Sequence, residues 1–145
     1  MVEIKEITSK ETYEIRLAVL RSGIKLPYKF KEDFEESTFH LGAFYDNELV
    51  GIATFINNCM DDFKENQYQL RGMATLTKVR GKGLGKKIIE KAVEKLKAKK
   101  VTILWCNARK EAVPFYEKLK FIKKGDEFLV DKVGIHSKMY THIYV

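Results

Sequence analysis

Apolar positions along the chain follow two periods, and their order predicts the elements. "VEIKEI", residues 2–7, alternates apolar and polar side chains and reads as a short strand. Thr8 with Glu11 three positions on forms a capping box and predicts a helix to about Arg21, which Gly23 and Pro27 stop. A polar segment through "KFKEDFEEST" leads to "HLGAFY" and "ELVGIATFI", two strands whose junction at Asp46-Asn47 predicts a β-hairpin. "QYQLRGMATL" is a further strand, in which Gly72 marks a bulge or a close backbone approach. After a glycine-rich turn, Ile88, Ile89, Ala92, Val93 and Leu96 recur at helical spacing, with lysine over most of the opposite face. "VTILWCN" is a near-continuous apolar run, as expected of a buried strand with a parallel neighbour. "KEAVPFYEKLK" reads as a short helix that Pro114 starts late or kinks, because proline offers no N–H to the Lys110 carbonyl. "FIKKGDEFLV" and "IHSKMYTHIYV" close the chain as two strands.

This order predicts an α/β (α+β) fold: a mixed, mostly antiparallel central sheet of about six or seven strands, flanked by about four helices, with one βαβ crossover. No linker, repeat or low-complexity tract interrupts the 145 residues, so residues 1–145 are expected to form a single domain. Cys59 and Cys106 lack metal-type spacing and read as reduced thiols, so no metal site is expected. The charged N-terminus and the absence of a long apolar run point to a cytoplasmic protein with no membrane association. Lysine and arginine total 27 against 20 acidic residues, a net +7 that favours an anionic partner: nucleic acid, an acidic surface or a polyphosphate cofactor.

The stretch "VRGKGLGKK" narrows that choice. A strand, a glycine turn and a helix N-terminus together make an anion site, because the first helical N–H groups lack partners and the helix dipole is positive there. A Walker A loop would need Gly at Arg80 and Ser or Thr at Lys87, and no complete G-x-G-x-x-G starts at Gly81 or Gly83. What remains is Arg80-x-x-Gly83-x-Gly85 followed by Lys86.

That pattern resembles the pyrophosphate-binding turn of the GNAT superfamily of N-acetyltransferases. "NARKEAVPFYEKLKF" is similar to the family's strand-end and helix segment, and the element order agrees from residue 2 onward. The resemblance implies acetyl-coenzyme A as co-substrate, with its pyrophosphate on the backbone amides from Arg80 through Gly81, Lys82, Gly83 and Leu84 to Gly85. Arg80, Lys82 and Lys86 would add counter-charge, or else belong to a solvated helix face. Met73, Ala74 and Thr75 would pair through their backbone with the pantetheine arm of coenzyme A. The family asparagine stands seven positions before its tyrosine. Here that position is Arg109 and the asparagine, Asn107, lies two residues earlier, so both are carried forward as pantetheine contacts.

Acetyl transfer to an amine needs a neutral nucleophile, a stabilised oxyanion and a proton for the departing thiolate. By the resemblance, Tyr116 is the general acid; the other reading has it packing between Phe115 and Leu119 with its hydroxyl at the surface. A backbone N–H near Met73 is the implied oxyanion donor. The glutamate that many family members carry on the strand before the catalytic helix is missing from "TILWCN", which leaves His136 and Glu65 as candidate bases, then His40. Trp105 is core or cavity wall. Phe30, Phe34 and Tyr68 could wall an acceptor site, and Asp33, Glu35 and Glu36 either attract a cationic amine or form an ordinary acidic turn.

The leading expectation is therefore an N-acetyltransferase acting by direct transfer in a ternary complex on a small-molecule or protein amine, as monomer or homodimer. A catalytically idle sensor or scaffold for acetyl-coenzyme A is the alternative from another class. A nucleic-acid-binding domain using the basic helix from Lys86 to Lys100 is the third reading, against which stands the lack of interleaved aromatic side chains.

Overall fold

The computed structural model describes residues 1–60, 63 and 65–144. Its strands are β1 (Val2–Ile7), β2 (Phe39–Tyr45), β3 (Glu48–Ile56), β4 (Gln67–Thr75), β5 (Ile103–Arg109), β6 (Ile122–Lys123), β7 (Phe128–Val130) and β8 (Gly134–His142). They form one eight-stranded sheet in the order β1-β2-β3-β4-β5-β8-β6, with β7 also on β8. Every pairing among the described residues is antiparallel except β4 with β5. The helices are α1 (Ser9–Ile15), α2 (Leu84–Ala98) and α3 (Val113–Lys118).

Eight strands replace the expected six or seven because "FIKKGDEFLV" is not continuous. Gly125, at φ 78°, breaks it into β6 and β7. Among the described residues there are three α-helices against the expected four or so, and the polar segment between Gly23 and Phe39 makes only turns. The final strand ends at His142, and Val145 lies outside the described residues.

Local signals account for most element ends. The Thr8 hydroxyl accepts from the Glu11 amide while the Glu11 carboxylate accepts from the Thr8 amide, so two orphan groups of the first turn are satisfied reciprocally. Asp46 and Asn47, both at positive φ, make a two-residue turn whose twist matches the flanking strands. A one-turn 3₁₀ segment, Lys110–Ala112, precedes α3, and Pro114 sits in the first turn of that helix, where a missing N–H costs nothing.

The two sheet faces bury separate clusters. α2 lays Leu84, Ile88, Ile89, Ala92 and Leu96 on a face with Leu41, Phe55, Leu70, Leu104 and Cys106, and α3 adds Tyr116. α1 covers Ile7, Ile52 and Ala74 on the other face, while Trp105 packs there with Met60 and Ile103 and donates to the Asn58 carbonyl. Trp105 is thus core. After Ile15 the helix widens into a π-type turn over Arg16–Leu20, closed by the Arg21 amide on the Arg16 carbonyl at 3.0 Å. Such widened turns recur at functional sites, and this one directs Arg16 into the protein and carries Leu20 and Arg21 to the site described next.

Candidate active site

β4 and β5 pair only from Gln67 opposite Ile103 to Leu70 opposite Cys106, although both strands run on. The cause lies in β4. Its register on β3 jumps from Ile52 opposite Ala74 to Thr54 opposite Arg71, so that Gly72 and Met73 together face the single residue Ala53. A bulge of this kind bends its strand and sharpens the twist. Gly72 adopts φ 63°, and a side chain there would meet the Phe30 ring at 3.1 Å. β5 meanwhile stays on β8 to Arg109 opposite His136. The two strands part as a wedge.

On one side the wedge opens into a cavity of about 570 Å³ that reaches the glycine turn, with Met73, Ala74, Thr75, Arg80, Gly81, Gly83, Leu84 and Gly85 in its wall. Gly81 and Gly83 take φ 84° and 75°, and Gly83 is the N-cap of α2 with no side-chain cap. Space above both is open, so their requirement is conformational. Gly85 differs: a Cβ there would come within 2.9 Å of the Phe115 ring, so this glycine lets α3 pack against the start of α2. Arg109 is in the wall as well, whereas Lys82 and Lys86 are not; the Lys82 ammonium lies over the Tyr45 ring at 5.3 Å.

On the other side lies a second cavity, also of about 570 Å³, whose wall includes Tyr116, Cys106, Asn107, His136, Phe30 and Glu32. Leu20, Met73, Arg109 and Ala112 line both cavities, and Arg109 ties the end of β5 to the π-type turn by donating to the Leu20 carbonyl at 3.1 Å. The two spaces therefore meet at Met73.

Tyr116 is buried, not turned outward, and its hydroxyl is hydrogen-bonded to the Cys106 thiol. Burial, then the neighbouring Cys106, push the phenol well above its ordinary value, so it remains a proton donor across the neutral range. Burial also pushes the Cys106 thiol up to about 12. His136 lines the same cavity, and its Nδ1 lies 2.9 Å from the Gly134 carbonyl. A carbonyl only accepts, so Nδ1 is the donor in that bond and Nε2 is the remaining ring nitrogen.

Several other residues fall elsewhere. Glu65 is exposed and precedes β4, with roughly 17 Å of strand between Gln67 and Gly72; it lines neither cavity. His40 is buried against Thr54 and the Asp33 carbonyl, and burial lowers its pKa. Phe34 is 73% exposed, and Tyr68 packs on Phe39 with its hydroxyl on the Ser37 carbonyl, which leaves Phe30 alone of the expected aromatic wall. Asp33 is bound internally: Arg16, 1% exposed, grips it through two bonds of 2.8 and 2.9 Å and also reaches Thr54 and the Tyr28 carbonyl. Burial alone would raise the Asp33 carboxyl, but the Arg16 bonds and the Phe30 amide hold it below its usual value. That network fastens the 24–38 segment to the sheet and sets Phe30 and Glu32 in the cavity wall.

Glu32, Arg21 and Arg71 were not among the sequence candidates. Arg71 carried a signal, as the one charge within "QYQLRGMAT"; Glu32 carried none, sitting in a run of charges.

Residues 9–140 match the family of the acetyltransferase (GNAT) domain. An uncharacterised N-acetyltransferase of Bacillus subtilis, YitI, is 40% identical over 142 residues, covering 97% of this chain and 95% of that one. Among solved structures, Escherichia coli ElaA superposes with a TM-score of 0.77 at 20% identity, over 97% of this chain and 99% of that one. The ribosomal-protein-S18-alanine N-acetyltransferase of Escherichia coli gives 0.78 at 18% identity, over 100% and 96%.

Proposed function

This chain belongs to the GNAT family of N-acetyltransferases, and from that premise we propose that it moves an acetyl group from acetyl-coenzyme A directly to a primary amine in a ternary complex. The observation that carries the reading is the wedge after Leu70 and Cys106, which joins a glycine-lined helix N-terminus to a cavity walled by Tyr116 and His136. The pyrophosphate sits on the amides of the 80–85 turn, where Gly81 and Gly83 leave open space and the α2 dipole favours negative charge. Met73, Ala74 and Thr75, unpaired with β5, receive the pantetheine arm between the diverging strands, with Asn107 and Arg109 on its other side.

The amine enters from the Tyr116 side. His136 Nε2 takes its proton, the Met73 amide steadies the tetrahedral oxyanion, and the Tyr116 hydroxyl protonates the departing thiolate. Glu65, which lines neither cavity, has no part in this scheme. An idle binding module is not favoured, because the acid and a base face the same cavity.

Calorimetric titration with acetyl-coenzyme A tests the donor site. Native protein and Gly83→Asn, which tolerates positive φ without charge, should bind; Gly83→Glu should lose binding while circular dichroism is unchanged. No heat from native protein at millimolar ligand would overturn the proposal.

A further inference from the structure

The cavity on the Tyr116 side carries more positive charge than a simple amine would want. Arg21, Lys29, Lys31, Arg71 and Arg109 line it against one carboxylate, Glu32, so five cations less one anion leave +4. Three of these groups are incompletely partnered. The Glu32 side chain is 8% exposed, and its Oε1 is buried without a hydrogen bond. The nearest cation, Arg71 Nη1, is 3.6 Å away, an ionic contact too long for a hydrogen bond. Arg71 rests its guanidinium 4.2 Å from the Phe30 ring, whose other close cation is Arg16 at 3.9 Å. The Arg71 side chain is 38% exposed, and its contact with Glu32 is ionic, not a hydrogen bond. Arg21 donates only to the Pro27 and Leu20 carbonyls, which leave its charge unbalanced, and burial with repulsion from Arg109, Arg71 and Arg16 lowers its pKa. Arg16, by contrast, is matched by Asp33.

A buried carboxylate oxygen held by one ionic contact and no hydrogen bond is incompletely satisfied, and Arg21, with carbonyl partners alone, is repelled by the guanidinium groups around it. A diamine or polyamine would relieve the first and worsen the second. A ligand with both charges relieves both. We propose that the acceptor is a small amine bearing a carboxylate a few bonds from its nitrogen, with Arg71 and Arg21 receiving the carboxylate and Glu32 the ammonium group. The 3.6 Å between Glu32 and Arg71 requires the two charges of the ligand to lie close together. This rests on the acetyltransferase reading of the same site.

The test uses matched amines on the full chain: phenylalanine with phenethylamine, lysine with cadaverine, and glutamate with 4-aminobutyrate, whose carboxylate is farther from the nitrogen. Thiol release from acetyl-coenzyme A and calorimetric binding in the presence of coenzyme A are both read. The member with the closer carboxylate should be preferred about 10- to 100-fold in kcat/KM or affinity, the worth of one charge-assisted contact. Arg71→Gln should erase that preference mainly through KM, with Arg71→Lys restoring part of it. Equal or better use of the decarboxylated amines overturns the assignment, as does an Arg71→Gln loss shared equally by both members. Absence of binding and turnover for every carboxylate-bearing amine, in protein that still binds acetyl-coenzyme A, overturns it too while leaving the acetyltransferase reading intact. Failure to bind acetyl-coenzyme A is the separate failure of that reading.

Discussion

Removing either partner of the Arg16–Asp33 pair should cost far more than removing both. Each group is essentially inaccessible, at 1% and 0% side-chain exposure, and the two share bonds of 2.8 and 2.9 Å. Arg16→Met leaves the Asp33 carboxylate buried with only the Phe30 amide; Asp33→Leu leaves a guanidinium with only Thr54 and the Tyr28 carbonyl. Stranding a buried charge costs about 3–5 kcal/mol, which at an m-value of about 2 kcal/mol/M lowers the urea midpoint by roughly 2 M. The double variant strands no charge and should be no less stable than either single one. Urea melts of the four proteins at pH 7 give the coupling directly. The pair also has a pH signature. Asp33 is held below its unfolded value near 3.9, so its contribution is present above that pH and fades as pH falls through the lower folded value. The gap between native protein and Asp33→Leu should narrow accordingly in acid. Additive losses in the double variant, or a gap independent of pH, would refute the reasoning. Acetyl-coenzyme A affinity of Asp33→Leu should be unchanged, because the 24–38 segment does not line the cavity at the glycine turn.

Three further outcomes are expected. Tyr116→Phe should lower kcat by about 10²–10⁴, the usual worth of a general acid, with acetyl-coenzyme A affinity unchanged; an unaltered kcat removes Tyr116 from the chemistry. Iodoacetamide at pH 8 should add once per chain by intact mass, at exposed Cys59, since the buried Cys106 thiol with a pKa of about 12 stays un-ionised; two rapid additions contradict that picture. Gly72→Ala should destabilise by at least about 1–2 kcal/mol from the left-handed backbone alone, and should disturb Phe30, seen as weaker acceptor binding; a neutral substitution would mean that the bulge does not depend on glycine.

Much of this protein was legible residue by residue, because the signals are local. The capping box at Thr8 and Glu11, the Asp46-Asn47 turn, the delayed start at Pro114 and the apolar stripe from Ile88 to Leu96 each depend on neighbours within a few positions. Gly72, Gly81 and Gly83 were visible for the same reason: positive φ selects for glycine. The fold class followed from the order of those elements. What the sequence could not show depends on side chains brought together across the sheet. That Tyr116 turns its hydroxyl inward to Cys106, that Asp33 is spent on Arg16 while Glu32 beside it faces the cavity, and that Arg71 meets Glu32 across thirty-nine positions are consequences of packing. Adjacent carboxylates have near-identical local preferences, and only burial against particular neighbours gives Asp33 two hydrogen bonds from Arg16 and leaves Glu32 a longer ionic contact with Arg71 in the cavity wall.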